Sequence, residues 1–199
     1  MPALCAGRYW VFDLDGTLTL AVHDFALIRR ELGIPIGRDI LGHLGALPAA
    51  EAAAKRAWLA AHERELADAS VAAPGAVALL RCLHQRGCAL GILTRNDHAL
   101  ARMTLAEIGV EDLFAPDAVI GRDEATPKPH PAGLLLHASR WAVSPRDLVM
   151  VGDHGYDLEA GRAAGAMTVF VGARNEWPDL SDHAHPDCRA LLAALAEGS

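Results

Sequence analysis

The chain has 199 residues, a length that exceeds one average domain and falls short of two. Hydrophobic residues make up 52%, but 39 residues are alanine and ten are aromatic, which is typical of a helix-rich globular protein. The 18 basic and 25 acidic residues give a net charge of −7, which argues against nucleic acid or an anionic membrane as a partner. No apolar run approaches the ~20 residues that cross a bilayer, and no secretory signal pattern opens the chain. We therefore expect a soluble, cytoplasmic protein in which an anionic substrate needs a local positive charge.

The first predicted element is a buried strand over Tyr9–Phe12, an apolar run that stops at an acidic turn. Asp13 and Asp15 of this turn can point toward one pocket, and Gly16 permits a close approach of the backbone. Two carboxylates this close repel each other, so we expect a divalent cation or a protonated member of the pair. An Asp-Gly turn beside a solvated aspartate explains the same residues, and the DxDGT pattern alone does not decide between them.

Residues 18–73 form a segment in which no strand is predicted. Helical periodicity is strong over 25–32 and 51–69, and stretches rich in Gly and Pro at 33–37 and 42–48 separate the helical patterns. We therefore predict a helical insertion of residues 18–73 within a core domain of residues 1–17 and 74–199. Six polar residues of the insertion could touch a substrate, although a solvated helix face or a turn explains each of them better: His23, Asp24, Arg29, Arg30, Arg38 and His43.

From Pro74 onward, predicted helices alternate with apolar runs that predict strands. The strands are expected at Ala89–Leu93, 117–120 (the weakest), 148–151 and Met167–Val171. The helices are expected at 76–86, 97–108, 131–141, 157–164 and 187–195. This alternation predicts an α/β fold with a Rossmann-like parallel sheet covered by helices on both faces. In such sheets, functional groups gather beyond the carboxyl ends of the strands.

Four more polar residues lie in or near the turns that follow predicted strands. Thr94 comes after the second strong strand, Lys128 lies between two prolines, and Asp153 and Asp157 follow the strand at 148–151. Each has a plain structural explanation by itself, as a residue flanking a helix, a loop charge or a helix N-cap. Their occurrence together, in this order along the chain, favours one functional site instead.

These motifs resemble those of the haloacid dehalogenase-like hydrolase superfamily. The sequence carries a DxDGT motif that begins at Asp13, the threonine after a hydrophobic strand, the lysine, and a GDxxxD motif that includes Asp153 and Asp157. The helical insertion directly after the first motif is similar to the subgroup with a small helical cap, which includes phosphoglycolate phosphatases and β-phosphoglucomutases.

The resemblance implies a role for the acidic residues. Asp13 would attack phosphorus and form an aspartyl-phosphate, and Asp15 would protonate the leaving alcohol and then activate water. The Asp13 carboxylate, the Asp15 backbone carbonyl and Asp153 would hold Mg²⁺, the implied cofactor. Dehalogenases of the superfamily do not keep an aspartate at the position of Asp15, so this residue favours phosphoryl transfer over dehalogenation.

The resemblance also implies the residues that bind the phosphoryl group. Thr94 and Lys128 would bind its oxygens. From their place beside Thr94 alone, we expect Arg95 and Asn96 to contact the phosphate through their backbone amides. Asp157 would orient Lys128 or a metal-bound water.

We therefore expect a Mg²⁺-dependent phosphatase that acts on a small phosphorylated metabolite, as a monomer or a homodimer. A phosphomutase of the same superfamily is the nearest alternative, although no cap residue that would hold a bisphosphate intermediate is identified. A receiver-like signalling domain also uses a Mg²⁺-bound aspartate, a threonine and a lysine. That class lacks the second aspartate of the DxD pattern and has no inserted lid.

Overall fold

The computed structural model describes residues 4–20 and 25–197, and its strands form a single parallel sheet. The strands are β1 (Tyr9–Phe12), β2 (Ala89–Leu93), β3 (Val119–Ile120), β4 (Leu148–Gly152), β5 (Met167–Val171) and β6 (His183–His185). Their order across the sheet is β3-β2-β1-β4-β5-β6, and each neighbouring pair is parallel. This order places β1 at the centre, between β2 and β4.

α-Helices make up about half of the residues outside the strands. In chain order they are α1 (Phe25–Leu32), α2 (Ile40–Ala46), α3 (Ala49–Asp68), α4 (Ala76–Gln85), α5 (His98–Glu107), α6 (Ala132–Trp141), α7 (Gly155–Ala164) and α8 (Cys188–Glu197). None of these helices is both long enough and apolar enough to cross a membrane.

The sheet is covered on both faces because the side chains of its strands alternate between two apolar clusters. Trp10 and Phe12 of β1 pack in one cluster with side chains of α4, α5 and α8. Val11, between them, packs in the other cluster with side chains of α6 and α7. This arrangement confirms the predicted α/β class with helices on both faces.

Helices α1, α2 and α3, the inserted helices, lie between β1 and α4 along the chain and have an apolar cluster of their own. Its buried members are Ile28, Leu32, Ile34, Leu44 and Leu59. The segments that enter and leave the inserted helices run side by side. Leu20 N–H donates to the Val71 carbonyl at 2.9 Å, and Ala73 N–H donates to the Leu18 carbonyl at 2.8 Å.

Two elements were not expected from the sequence, and β3 is shorter than the expected strand at 117–120 because a 3₁₀ helix occupies Pro116–Ala118. Residues 42–48 were expected to separate helices, but α2 occupies Ile40–Ala46 because the Asp39 side chain accepts a hydrogen bond from the Gly42 N–H at 2.6 Å and caps it. Strand β6 is not predicted at all. Its two histidines give no apolar run, and it pairs only with β5 at the edge of the sheet.

Candidate active site

The carboxyl ends of β2, β1 and β4 meet at a cavity of about 290 Å³. Directly after β1, the Asp13 N–H donates to the Val151 carbonyl at 2.9 Å, and after β2 the Thr94 N–H donates to the Ile120 carbonyl at 3.0 Å. These bonds extend the sheet past its strands and hold both residues on rigid backbone. The cavity lining includes every residue that the motifs singled out: Asp13, Asp15, Thr94, Arg95, Asn96, Lys128, Asp153 and Asp157.

Lys128 is buried at the base of this cavity, with 3% of its surface exposed. Its Nζ lies 2.5 Å from Oδ1 of Asp13 and 2.6 Å from Oδ1 of Asp157. Burial by itself would lower the pKa of Lys128, but the two carboxylates outweigh it and the pKa lies above its usual value. The lysine is therefore a fixed cation that bridges two acidic side chains.

Asp13, Asp153 and Asp157 form an acidic cluster in which one side-chain oxygen of each residue lies within 4.8 Å of the others. Burial, followed by the charges of Asp13 and Asp157, raises the pKa of Asp153 to about 7. Three carboxylates with one lysine leave an excess of negative charge that a proton or a cation can offset. Aspartate oxygens are the ligands that hard divalent cations prefer, so the cluster fits such an ion.

Within this cluster, Asp157 has donors on both carboxylate oxygens. Oδ1 contacts Lys128, and Oδ2 accepts a hydrogen bond from the His154 N–H at 3.1 Å, in a capping box at the start of α7. Asp153 instead accepts a hydrogen bond from the Thr17 hydroxyl at 2.9 Å. The occupied oxygens of Asp157 favour an orienting role over a metal-binding one.

Asp15 lies beside this cluster, and its Oδ2 accepts a hydrogen bond from Nδ2 of Asn96 at 2.7 Å. Burial and the neighbouring Asp13 carboxylate raise the pKa of Asp15 to about 7. A carboxyl group with that pKa can donate or accept a proton near neutral pH. The turn needs glycine next to it, because Gly16 has φ +88° and a Cβ there would lie 2.4 Å from Asp153 Oδ2.

Arg95 contacts both the inserted helices and the sheet side of the cavity. One of its guanidinium nitrogens forms an ion pair with Asp39, at the start of α2, and the guanidinium lies over the Tyr156 ring, 5.0 Å from its centroid. Neither Asp39 nor Tyr156 is predicted as a site residue from the sequence. An N-cap pattern was the available signal for Asp39, since its carboxylate caps α2.

Two of the six polar residues of the insertion that could touch a substrate line the cavity. Arg29 and Arg38 line it, whereas Arg30 and His43 do not. His23 and Asp24 lie outside the described residues. Glu63 of α3, which the sequence analysis passed over, lines the cavity as well.

Comparison with known proteins gives a consistent picture. A protein-family model described as haloacid dehalogenase-like hydrolase matches residues 10–165. The chain is 32% identical to a haloacid dehalogenase-like hydrolase domain-containing protein of Arabidopsis thaliana, over 81% of this chain and 69% of that protein. It is 33% identical to a phosphoglycolate phosphatase of Xanthomonas campestris pv. campestris, over 81% of each. Among solved structures, a hydrolase from Pseudomonas syringae shares the fold, with a TM-score of 0.79 at 24% identity over 96% of this chain and 98% of that one.

Proposed function

Because the chain belongs to the haloacid dehalogenase-like hydrolases, we propose that it is a Mg²⁺-dependent phosphatase that hydrolyses a small phosphorylated metabolite through an aspartyl-phosphate. The observation that carries the proposal is the buried bridge of Lys128 between Asp13 and Asp157, in a cavity that also contains Asp15 and Asp153. The similarity to phosphoglycolate phosphatases supports a phosphate monoester as the substrate class.

In the first step, Asp13 acts as the nucleophile. A bond forms between its carboxylate oxygen and phosphorus, and the bond from phosphorus to the alcohol oxygen breaks. Lys128 holds the Asp13 carboxylate in place through the 2.5 Å contact. The alcohol oxygen takes a proton from the Asp15 carboxyl as it leaves.

In the second step, Asp15 acts as a base. Its carboxylate takes a proton from a water molecule, whose oxygen attacks phosphorus, and the bond from phosphorus to Asp13 breaks. Inorganic phosphate and the original Asp13 carboxylate result. The raised pKa of Asp15 supports this double role, because both protonation states are accessible near neutral pH.

The negative charge of the nucleophile and the phosphate must be offset within the cavity. Asp13, Asp153 and the backbone carbonyl of Asp15 are the groups that would hold Mg²⁺, whose charge offsets that of the phosphoryl group. Thr94 and Lys128 would bind the phosphoryl oxygens, with the backbone amides of Arg95 and Asn96 beside them.

The inserted helices would cover the substrate. We assign residues 18–73 to a cap and residues 1–17 and 74–199 to the core that carries the reacting groups. The ion pair between Asp39 and Arg95 joins the two sides of the cavity and supports a closed arrangement. A closed cap excludes bulk water from the aspartyl-phosphate except for the water that reacts.

The test is a turnover assay with Mg²⁺ on phosphoglycolate, sugar phosphates, nucleotides and p-nitrophenyl phosphate, for the wild type and for Asp13→Asn. We expect the wild type to release phosphate from at least one ester and the variant to lose nearly all of that activity. Absence of turnover on every ester, or equal turnover by the variant, contradicts the proposal.

The same assay separates the alternatives. Formation of an isomeric sugar phosphate without net release of phosphate would identify a phosphomutase. A long-lived phosphorylated Asp13 without turnover would identify a signalling domain.

A further inference from the structure

Asn96, which lines the cavity, is fixed from three directions. Its side-chain Nδ2 donates to Asp15 Oδ2 at 2.7 Å, and its backbone N–H donates to the Thr94 hydroxyl oxygen at 3.1 Å. Its backbone carbonyl accepts a hydrogen bond from the Arg122 N–H at 2.9 Å. The backbone at Gly121 packs closely against the backbone at Asn96, because a Cβ on Gly121 would lie 2.6 Å from the Asn96 carbonyl oxygen. The amide group therefore reaches Asp15 from a turn that has little freedom to shift.

Arg122 connects this turn to the inserted helices. Its Nη1 and Nη2 lie 2.9 and 3.0 Å from Oε1 and Oε2 of Glu63, a two-pronged ion pair with α3. Nη2 also lies 3.5 Å from Oδ2 of Asp97, the residue that follows Asn96 and caps α5. Glu63 is 9% exposed, so the pair is largely shielded from water. A path of contacts thus runs from Glu63 of α3 to the Arg122 side chain, and from the Arg122 backbone N–H through Asn96 to Asp15.

We propose that Asn96 is a positioning residue for Asp15, and that Arg122, held by Glu63, keeps Asn96 in place. The inference rests on the proposed function, in which Asp15 donates a proton to the leaving alcohol. An amide donor on one carboxyl oxygen fixes the plane of the group and leaves the proton to the other oxygen. This is a role for the Asn96 side chain, separate from that of its backbone N–H, which donates to the Thr94 hydroxyl oxygen.

The chemistry of the leaving group makes the role measurable. When an alkyl phosphate reacts with Asp13, the bond from phosphorus to the alkoxide oxygen breaks and that oxygen needs the Asp15 proton. When p-nitrophenyl phosphate reacts, the departing nitrophenolate is a stable anion and needs none. The ratio kcat/KM covers the steps up to departure of the alcohol and excludes the later attack of water. Misplacement of Asp15 therefore lowers kcat/KM for the alkyl ester selectively.

The experiment measures kcat/KM with Mg²⁺ for the two kinds of ester. The alkyl probe is phosphoglycolate, or the alkyl phosphate of the panel that the wild type hydrolyses fastest, and the aryl probe is p-nitrophenyl phosphate. For Asn96→Ala we expect a fall of about 10- to 100-fold on the alkyl ester and less than about threefold on the aryl ester. Arg122→Ala and Glu63→Gln should show the same selectivity with a smaller loss, of about 3- to 10-fold.

Two further variants make the test specific. If Arg122 acts through Asn96, the double variant Asn96→Ala/Arg122→Ala should be no more selective than Asn96→Ala alone. The matched control is Arg102→Ala, which removes an arginine–glutamate pair with Glu111 away from the cavity and should leave both esters unchanged.

The outcomes separate the inference from the proposed function. Equal losses on both esters in Asn96→Ala, with a wild type that is active, overturn the inference alone, since they indicate a structural or phosphate-binding role. A wild type that hydrolyses no ester overturns the proposed function, and the inference falls with it.

Discussion

Lys128 is the residue on which the charge balance of the cavity most depends. A lysine that is 3% exposed is costly to bury unless it is paired, and here Asp13 and Asp157 pair with it. Removing the lysine leaves the acidic cluster without this compensation. The Lys128 ammonium is therefore needed for folding stability as well as for the proposed phosphoryl binding.

We predict that Lys128→Met lowers the free energy of unfolding by about 3–5 kcal/mol in Mg²⁺-free buffer, because it leaves buried carboxylates unpaired. Urea unfolding with EDTA present measures this. The matched control is Lys55→Met, which breaks a more exposed pair with Glu51 in α3 and should cost less than about 1 kcal/mol. An equal loss of unfolding free energy in the two variants would show that the buried bridge of Lys128 stabilises the fold no more than an exposed ion pair does.

The residues of the cavity could be predicted to different extents. Asp13, Asp15 and Asp153 could be found because they follow apolar runs that form adjacent strands, so their places in the sheet bring them together. The pair between Arg122 and Glu63 could not, because it joins positions 59 apart and neither residue lies in a motif. The contact of the Asn96 side chain with Asp15 depends equally on how two turns pack.

At the level of elements, the predictions were most accurate where burial dominates. The strands β1, β2 and β5 have the predicted bounds, because short apolar runs between polar turns leave few alternatives. Helix α2 has seven residues and depends on the Asp39 cap, and β6 depends on its hydrogen bonds to β5. Both elements were missed because contacts with other parts of the chain or with a capping side chain, rather than a repeating apolar pattern, determine them.

One contact between elements makes stability depend on pH. His137 of α6 is fully buried against β2, where its Nε2 lies 3.0 Å from the Ile92 carbonyl oxygen and its Nδ1 has no hydrogen-bond partner among the described residues. Burial lowers the pKa of His137 to about 4, whereas the unfolded chain has a value near 6.5. Between these values the unfolded state binds a proton that the folded state does not, so acid favours unfolding.

We predict that the neutral form of His137 contributes stability that is fully present above about pH 6.5 and is lost as pH falls toward 4. The loss amounts to about 3 kcal/mol, because the pKa of His137 differs by roughly two and a half units between the unfolded and folded states. Urea unfolding between pH 7 and 4.5 measures it as the difference between the wild type and His137→Gln, because the raised pKa values of Asp15 and Asp153 act in the opposite direction in both proteins. His137→Gln should remove the loss that acid causes. His84→Gln, at an exposed site of α4, should not. A pH dependence that His137→Gln leaves unchanged would contradict this explanation.

At the scale of the whole molecule, the order of the strands explains how an acidic chain can bind an anion. The net charge of −7 is unfavourable for a phosphate, but β1 and β4 are neighbours and gather several carboxylates at one point. The acidic cluster holds Lys128 and fits a divalent cation. The carboxylates, which by themselves would repel a phosphate, can therefore hold the positive charges that attract it.

We predict that Mg²⁺ raises the free energy of unfolding of the wild type, by about 2.7 kcal/mol at a concentration 100 times its Kd. Asp153→Asn should lose most of this increment, because one of the three clustered carboxylates is gone. Asp117→Asn, an exposed acid away from the cavity, should retain it. Thermal or urea unfolding with Mg²⁺ and with EDTA measures the increment, and an equal increment in all three proteins would exclude the cluster as the metal site.

In the proposed mechanism Asp13 carries the phosphoryl group during turnover, and rapid acid quenching followed by peptide mass spectrometry detects that group. With Mg²⁺ and a hydrolysed ester, we expect one added phosphoryl group on the peptide that contains Asp13. The modification should appear within the first turnover, decay when substrate is exhausted, and be absent from Asp13→Asn. Steady release of phosphate by the wild type with no phosphorylated Asp13 at any quench time, together with undiminished release by Asp13→Asn, would contradict it.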